Sequence, residues 1–233
     1  MVRLMRRRNR RLAADRLTVG LAALAIGTAG SVLAGQFVRM TRRRTSQAPQ
    51  AHSVLESAEH ALGAATLATQ DTVKVAVQGY SAATRRETVL FNILAGFTGA
   101  FALVRLSTWG IRHGWWPLGN VRVGGRHVHH FIPGILLAFG SGGAGLVARD
   151  ERVSTTLAIP FGAGIGLTFD EAALLLQLED VYWTPEGLLS VQVSLGSTAV
   201  LATAIIALRM LRRGEEVSEE AGLIPDETGE FAM

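Results

Sequence analysis

Residues 17–38 read LTVGLAALAIGTAGSVLAGQFV, 22 positions without a charge. A helix rises about 1.5 Å per residue, so about 20 residues cover the ~30 Å hydrocarbon core of a bilayer. The stretch is apolar all round, whereas a helix lying on a soluble core is apolar along one stripe. Working outward, four more charge-free runs follow, at 88–104, 131–148, 153–169 and 187–208. The last holds 22 residues; the middle three hold 17 or 18 and must borrow from their flanks. Those flanks offer Arg85, Arg86, Arg105, Arg149 and Arg152, which can snorkel to the headgroups. The pattern predicts an all-α, polytopic helical bundle in the cell membrane, with five transmembrane helices and the lipid bilayer as partner. A cleaved leader is a poor account of the first run, which is too long and is followed by Arg39, Arg42, Arg43 and Arg44.

Composition agrees. Hydrophobic residues make up 48% of the 233 positions and charged residues only 18%, below the usual share for a globular chain. Mean hydropathy is +0.28. Charge is segregated: residues 1–44 carry eleven Arg and one acid, Asp15, while 214–233 carry seven acids and no base. The pI near 10.5 therefore describes a basic head and not a basic folded face, and no nucleic-acid partner is expected. The head suits attraction to anionic lipid, at about 1 kcal/mol per basic residue near the surface. The chain has no Cys, which removes disulfides and thiolate metal sites.

Between the first two runs lies a segment of another kind. Ser53 followed by Glu56 is a capping-box pattern, the hydroxyl accepting from the amide three residues on. From there Leu55, Ala58, Leu62, Ala65, Thr69, Val73 (or Thr72), Ala76, Tyr80 and Ala83 recur at spacings of three and four. They predict a long linker helix with one weakly apolar stripe, lying on the membrane or against the chain's own core. Four parts are expected: an Arg-rich head with the first transmembrane helix (1–44), the weakly amphipathic helix (45–86), a four-span membrane core (87–209) and an acidic disordered tail (210–233). Within the runs Gly96 and Ala100, Gly140 and Ala144, and Gly162 and Gly166 stand four apart. Such small faces let helices approach closely in lipid.

Two strings carry the chemistry. Gly124-Gly125-Arg126-His127-Val128-His129-His130 places three of six histidines within four positions, just ahead of a span. Pro133 suits a first helical turn, so that helix is expected to begin between His130 and Pro133. The second string, 170–183, carries Asp170, Glu171, Glu179 and Asp180 on an otherwise apolar helix. Topology joins them: the third run leaves the interface where the histidines sit, and the fourth returns Asp170 and Glu171 to it. Arg105, Arg112, Arg122 and Arg126 add positive charge on that side, and Trp109, Trp115, Trp116 and Trp183 form a belt there.

Imidazole and carboxylate are ligands for zinc or another divalent metal, and metal-bound water hydrolyses esters, amides and phosphates near neutral pH. His127, His129, His130 and Asp170 are the candidate metal ligands, and Glu171 and Asp180 the candidate catalytic carboxylates. If the segment after Gly125 is extended, His127 and His129 point to one face. The reading is an integral membrane protein of unassigned activity with a divalent-metal site at one membrane interface, for which lipid-directed hydrolysis is one use. Its alternatives are polar residues in a wet loop, carboxylates paired with Arg122 and Arg126, or a non-enzymatic anchor or scaffold whose tails contact partners or anionic lipid. No nucleophile elbow, phosphate-binding loop or dinucleotide-binding glycine pattern is present.

The two strings, His127-Val-His129-His130-Phe-Ile-Pro-Gly134 and Thr168-Phe-Asp170-Glu171 through Glu179-Asp180-Val-Tyr182-Trp183, resemble a family of uncharacterised integral membrane proteins from actinobacteria. The likeness covers roughly residues 87–210 and implies a multi-pass membrane protein with no assigned activity. The ingredients are also those of membrane-embedded metal hydrolases of the ceramidase kind, but the histidine spacing differs and no residue is carried over. Basic residues on the two sides nearly balance; the seven Arg ahead of the first run favour an internal amino terminus.

Overall fold

The computed structural model describes residues 2–47, 53–117, 122–123, 126–127, 129–170, 185–226 and 230–231. Among them are six helices: α1 (Val2–Ser46), α2 (Val54–Ser81), α3 (Arg85–Arg112), α4 (Phe131–Val147), α5 (Glu151–Asp170) and α6 (Pro185–Glu220). The extended pairing among the described residues is a two-residue antiparallel ladder, β1 (Arg122–Val123) with β2 (Arg126–His127). The chain is otherwise an all-α bundle. Its contacts divide into two units, Met1–Gly27 with Thr88–Thr203, and Thr28–Glu87 with Ala204–Met233.

Three helices are long and apolar enough to cross a membrane: Ala23–Ser46, Arg85–Thr108 and Leu195–Glu220. α4 is apolar but only 17 residues long, and α5 carries Glu151, Arg152 and Asp170 at its ends. Among the described residues, length and composition thus single out three of the five expected crossings. Large apolar side chains are left uncovered: Phe139 is 79% exposed and Leu146 90%. Water penalises apolar patches of this kind, whereas lipid tails are as apolar as the side chains themselves.

In the first unit α5 is the central helix. A Cβ on its Gly162 or Gly166 would run into the carbonyl of Ile93 or Phe97 on α3, and Gly96 returns the contact at Ile159. Gly164 lies against Gly134 and Ala138 of α4. Asn92 donates its side-chain amide to the Thr155 carbonyl at 2.9 Å. From Asn92–Thr155 to Phe97–Gly166 the contacts climb together, so α3 and α5 run parallel. Gly134 against Thr168 and Gly145 against Leu157 make α4 and α5 antiparallel. Gly96, Gly162 and Gly166 are thus the helix-approach positions expected of them. Gly140 is not: nothing lies within 4 Å of an added Cβ there.

The second unit is built on α2. Ser53 caps it, its Oγ accepting the Glu56 N–H at 3.1 Å. The face it buries is Ala64, Ala68, Asp71, Val75 and Gly79. The expected stripe faces the other way, with Leu62 70% exposed and Leu55 and Val73 similarly open. Of the two places expected for the stripe, the chain's own core is the one it does not take, because the contact face contains a charge and a glycine. Asp71 is paired with Arg44, and Gly79 meets Gly214 of α6 backbone to backbone. Around them Met40, Ala68, Val75, Leu211 and Ile224 form the core, with Val32 packed against it.

Residues 210–220, expected to open a disordered tail, instead continue α6. The helix stops at Gly222, whose φ of +63° suits a residue without a Cβ. Gly222 N–H bonds to Glu219 O at 2.9 Å and Leu223 N–H to Ser218 O at 2.9 Å, a Schellman closure that turns the chain and buries Ile224. Gly114 (φ +75°) ends α3 in the same way, with Gly114 N–H to Ile111 O and Trp115 N–H to Gly110 O.

Candidate functional site

Three elements of the first unit bring polar groups together: Arg105 near the end of α3, His130 at the N-cap of α4, and Asp170 at the end of α5. α4 begins at Phe131, inside the expected window, and the His130 carbonyl accepts the Gly134 N–H at 3.0 Å. Asp170 is only 5% exposed. Its Oδ1 accepts a short bond from Arg105 Nε, and its main-chain oxygen accepts from Arg105 Nη2 at 3.1 Å. Oδ2 faces His130 Nε2 at 3.3 Å. The Arg105 guanidinium also lies over the Phe101 ring, 5.7 Å from its centroid, and Phe101 stacks on buried Phe97. The parallel packing of α3 on α5 sets this register, because glycine contacts lower down hold the two backbones together.

Of the four expected metal ligands, the structure unites His130 and Asp170. His129 stacks its ring on Phe131, with centroids 6.1 Å apart. His127 lies in β2, its backbone paired with Arg122 as the extended reading requires; its side chain lies outside the described residues. Glu171 and Asp180 also lie outside them. No group of three or more His, Asp or Glu side chains that could hold a metal occurs among the described residues. Arg105 bonds one carboxylate oxygen and the main-chain oxygen of Asp170, and its positive charge opposes a cation beside them. The sequence placed Arg105 on the same side as Asp170, among other basic residues, but offered Arg122 and Arg126 as partners for the carboxylates; the pairing with Arg105, 65 residues away, is set by the register of α3 on α5.

A second polar cluster closes the other unit. Arg43, with a side chain 8% exposed, donates to Glu215 Oε1 at 2.5 Å, to Glu219 Oε1 and to the Pro225 carbonyl at 2.9 Å. Arg39 bonds Gln36 at 2.6 Å and lies 3.7 Å from Glu215. Arg44 grips Asp71 through Nε at 2.5 Å and Nη2 at 2.9 Å. Basic residues following the first apolar run thus meet acids of the C-terminal segment inside one folded unit.

No known protein family, curated protein or solved structure matches the chain.

Proposed function

We propose that the protein is a multi-pass protein of the cell membrane, crossing five times, and a non-enzymatic anchor or scaffold that contacts a partner through its second folded unit. The observation that carries this reading is buried Arg43, bonded to Glu215 and Glu219. Here the segment after the first run and the acidic C-terminal segment are folded into one unit, which gives a partner a defined surface. Five crossings rather than three are supported by register. α5 runs parallel to α3 from Asn92–Thr155 to Arg105–Asp170, so it traverses the same depth as a helix long enough to span. α4, antiparallel to α5, returns through it. The amino terminus is inside in this reading, on the strength of its seven Arg. Membership of the actinobacterial family that the two strings resemble is part of the same proposal.

A metal centre for lipid hydrolysis is the second reading, favoured by the approach of His130 Nε2 to Asp170 Oδ2 and opposed by Arg105. Single cysteines introduced into the native Cys-free chain test the path. Ser46, Asp150 and Glu220 are expected to label from one face of sealed vesicles and Gly124 from the other. Asp150 protected from both faces makes α4 and α5 a re-entrant hairpin; Ser46 and Gly124 labelling together removes the path altogether.

A further inference from the structure

We propose that residues 37–46 of α1 hold the headgroup of one anionic phospholipid, with Arg42 receiving its phosphate. The inference rests on the membrane reading above. α1 has two faces in this region. Gln36, Met40 and Arg43 are buried, and Phe37, Val38, Thr41, Arg42, Thr45 and Ser46 line a groove of about 390 Å³ on the opposite side.

Charge decides the occupant. Of the four Arg that follow the first run, Arg39, Arg43 and Arg44 are each held by a carboxylate of the same unit. Arg42 is exposed and forms no ion pair among the described residues. Among the described residues, no carboxylate lines the groove. Thr41 and Thr45 donate their hydroxyl protons to the carbonyls of Phe37 and Thr41, at 2.9 and 2.8 Å, so the guanidinium is the side-chain donor left for an anion. Its planar fork matches two oxygens of a phosphate.

The order of groups along the axis selects a lipid over a free phosphate. Phe37 and Val38 come first, and Arg42 lies one turn on, about 6 Å beyond Val38. Thr45 and Ser46 follow. Acyl chain, phosphate and polar headgroup occur in that sequence in a phospholipid, and the exposed Leu33 extends the apolar side towards the middle of the span.

Native mass spectrometry of the detergent-released full chain, titrated with phosphatidylglycerol or phosphatidylcholine, reads the bound lipid directly. One retained phosphatidylglycerol is expected, preferred over phosphatidylcholine by about fivefold, the contribution of one interfacial Arg. Arg42→Gln is expected to abolish the preference. Arg86→Gln, which removes the same charge from another exposed position, should leave it intact. Equal losses in the two variants, no preference in the wild type, or displacement of the lipid by inorganic phosphate would each overturn the proposal. Carbonate extraction of membranes reports the membrane reading separately: a chain retained in the pellet but without lipid preference defeats the lipid site alone.

Discussion

Arg105 and Asp170 stand 65 positions apart in the chain and share an ion pair in which the carboxylate is almost wholly buried while the guanidinium is 40% exposed. The asymmetry matters. Asp170 cannot recover its hydration if Arg105 is lost, whereas Arg105 can turn to solvent or headgroups. The pair also fixes the ends of two parallel helices, and His130 at the start of a third completes it.

Removing Arg105 is therefore expected to cost more than removing Asp170. Arg105→Gln leaves a buried carboxylate with one hydrogen bond fewer and should destabilise by about 2–3 kcal/mol. Asp170→Asn should cost about 1 kcal/mol, since the amide oxygen still accepts from Arg105. Thermal unfolding in detergent, with the double variant closing the cycle, measures both. Equal costs would mean that the pair is screened by solvent.

Metal content separates the two readings of this cluster. Detergent-purified wild type, prepared without chelator or His-tag, is expected to carry no stoichiometric metal by elemental analysis. Stoichiometric zinc that is lost in His127→Ala, His129→Ala and Asp170→Asn would reverse the assignment and restore the hydrolase.

Arg43→Ala should unfold the second unit preferentially, because Glu215 and the Pro225 carbonyl lose their common donor. Breaking such a buried pair costs about 3–5 kcal/mol. Hydrogen exchange is the measurement: amides of α2 from Ala64 to Gly79 should lose protection, while those of α5 keep it. Uniform loss along the chain would show that the two units do not unfold separately.

Two glycines of α2 should respond oppositely to the same change. Gly63→Ala meets nothing within 4 Å and should stabilise by about 1 kcal/mol through helix propensity. Gly79→Ala drives a Cβ into the Met210 carbonyl and should destabilise by about 1–3 kcal/mol. Denaturant midpoints of the two variants decide it, and a stabilised Gly79→Ala would refute the backbone contact with α6.

Gly222→Ala places a side chain at a φ of +63° and removes the stop that folds Ile224 back into the core. A loss of about 1 kcal/mol is expected, with faster proteolysis after Glu220. An unchanged cleavage rate would mean that Ile224 is held without the turn.

What the amino-acid sequence determined by itself is the solvent and the helices. Charge-free runs such as 17–38 favour a membrane, because a helix apolar all round has no face to show water. The Ser53 cap and the start of α4 at Phe131 were legible because each depends on residues within one turn, whereas the small-residue spacing marked Gly140 as readily as Gly96, Gly162 and Gly166, and only the partner helices told them apart. Gly222 followed by Leu223, Ile224 and Pro225 was an equally local stop signal, overlooked under the acidic composition around it. Only the tertiary structure decided which charges meet. Arg105 with Asp170, Arg43 with Glu215 and Arg44 with Asp71 join segments 27 to 172 positions apart. Periodicity counts apolar residues and so found the exposed stripe of α2 but not its contact face: that face includes Asp71 and Gly79, whose worth lies in the partner each one touches.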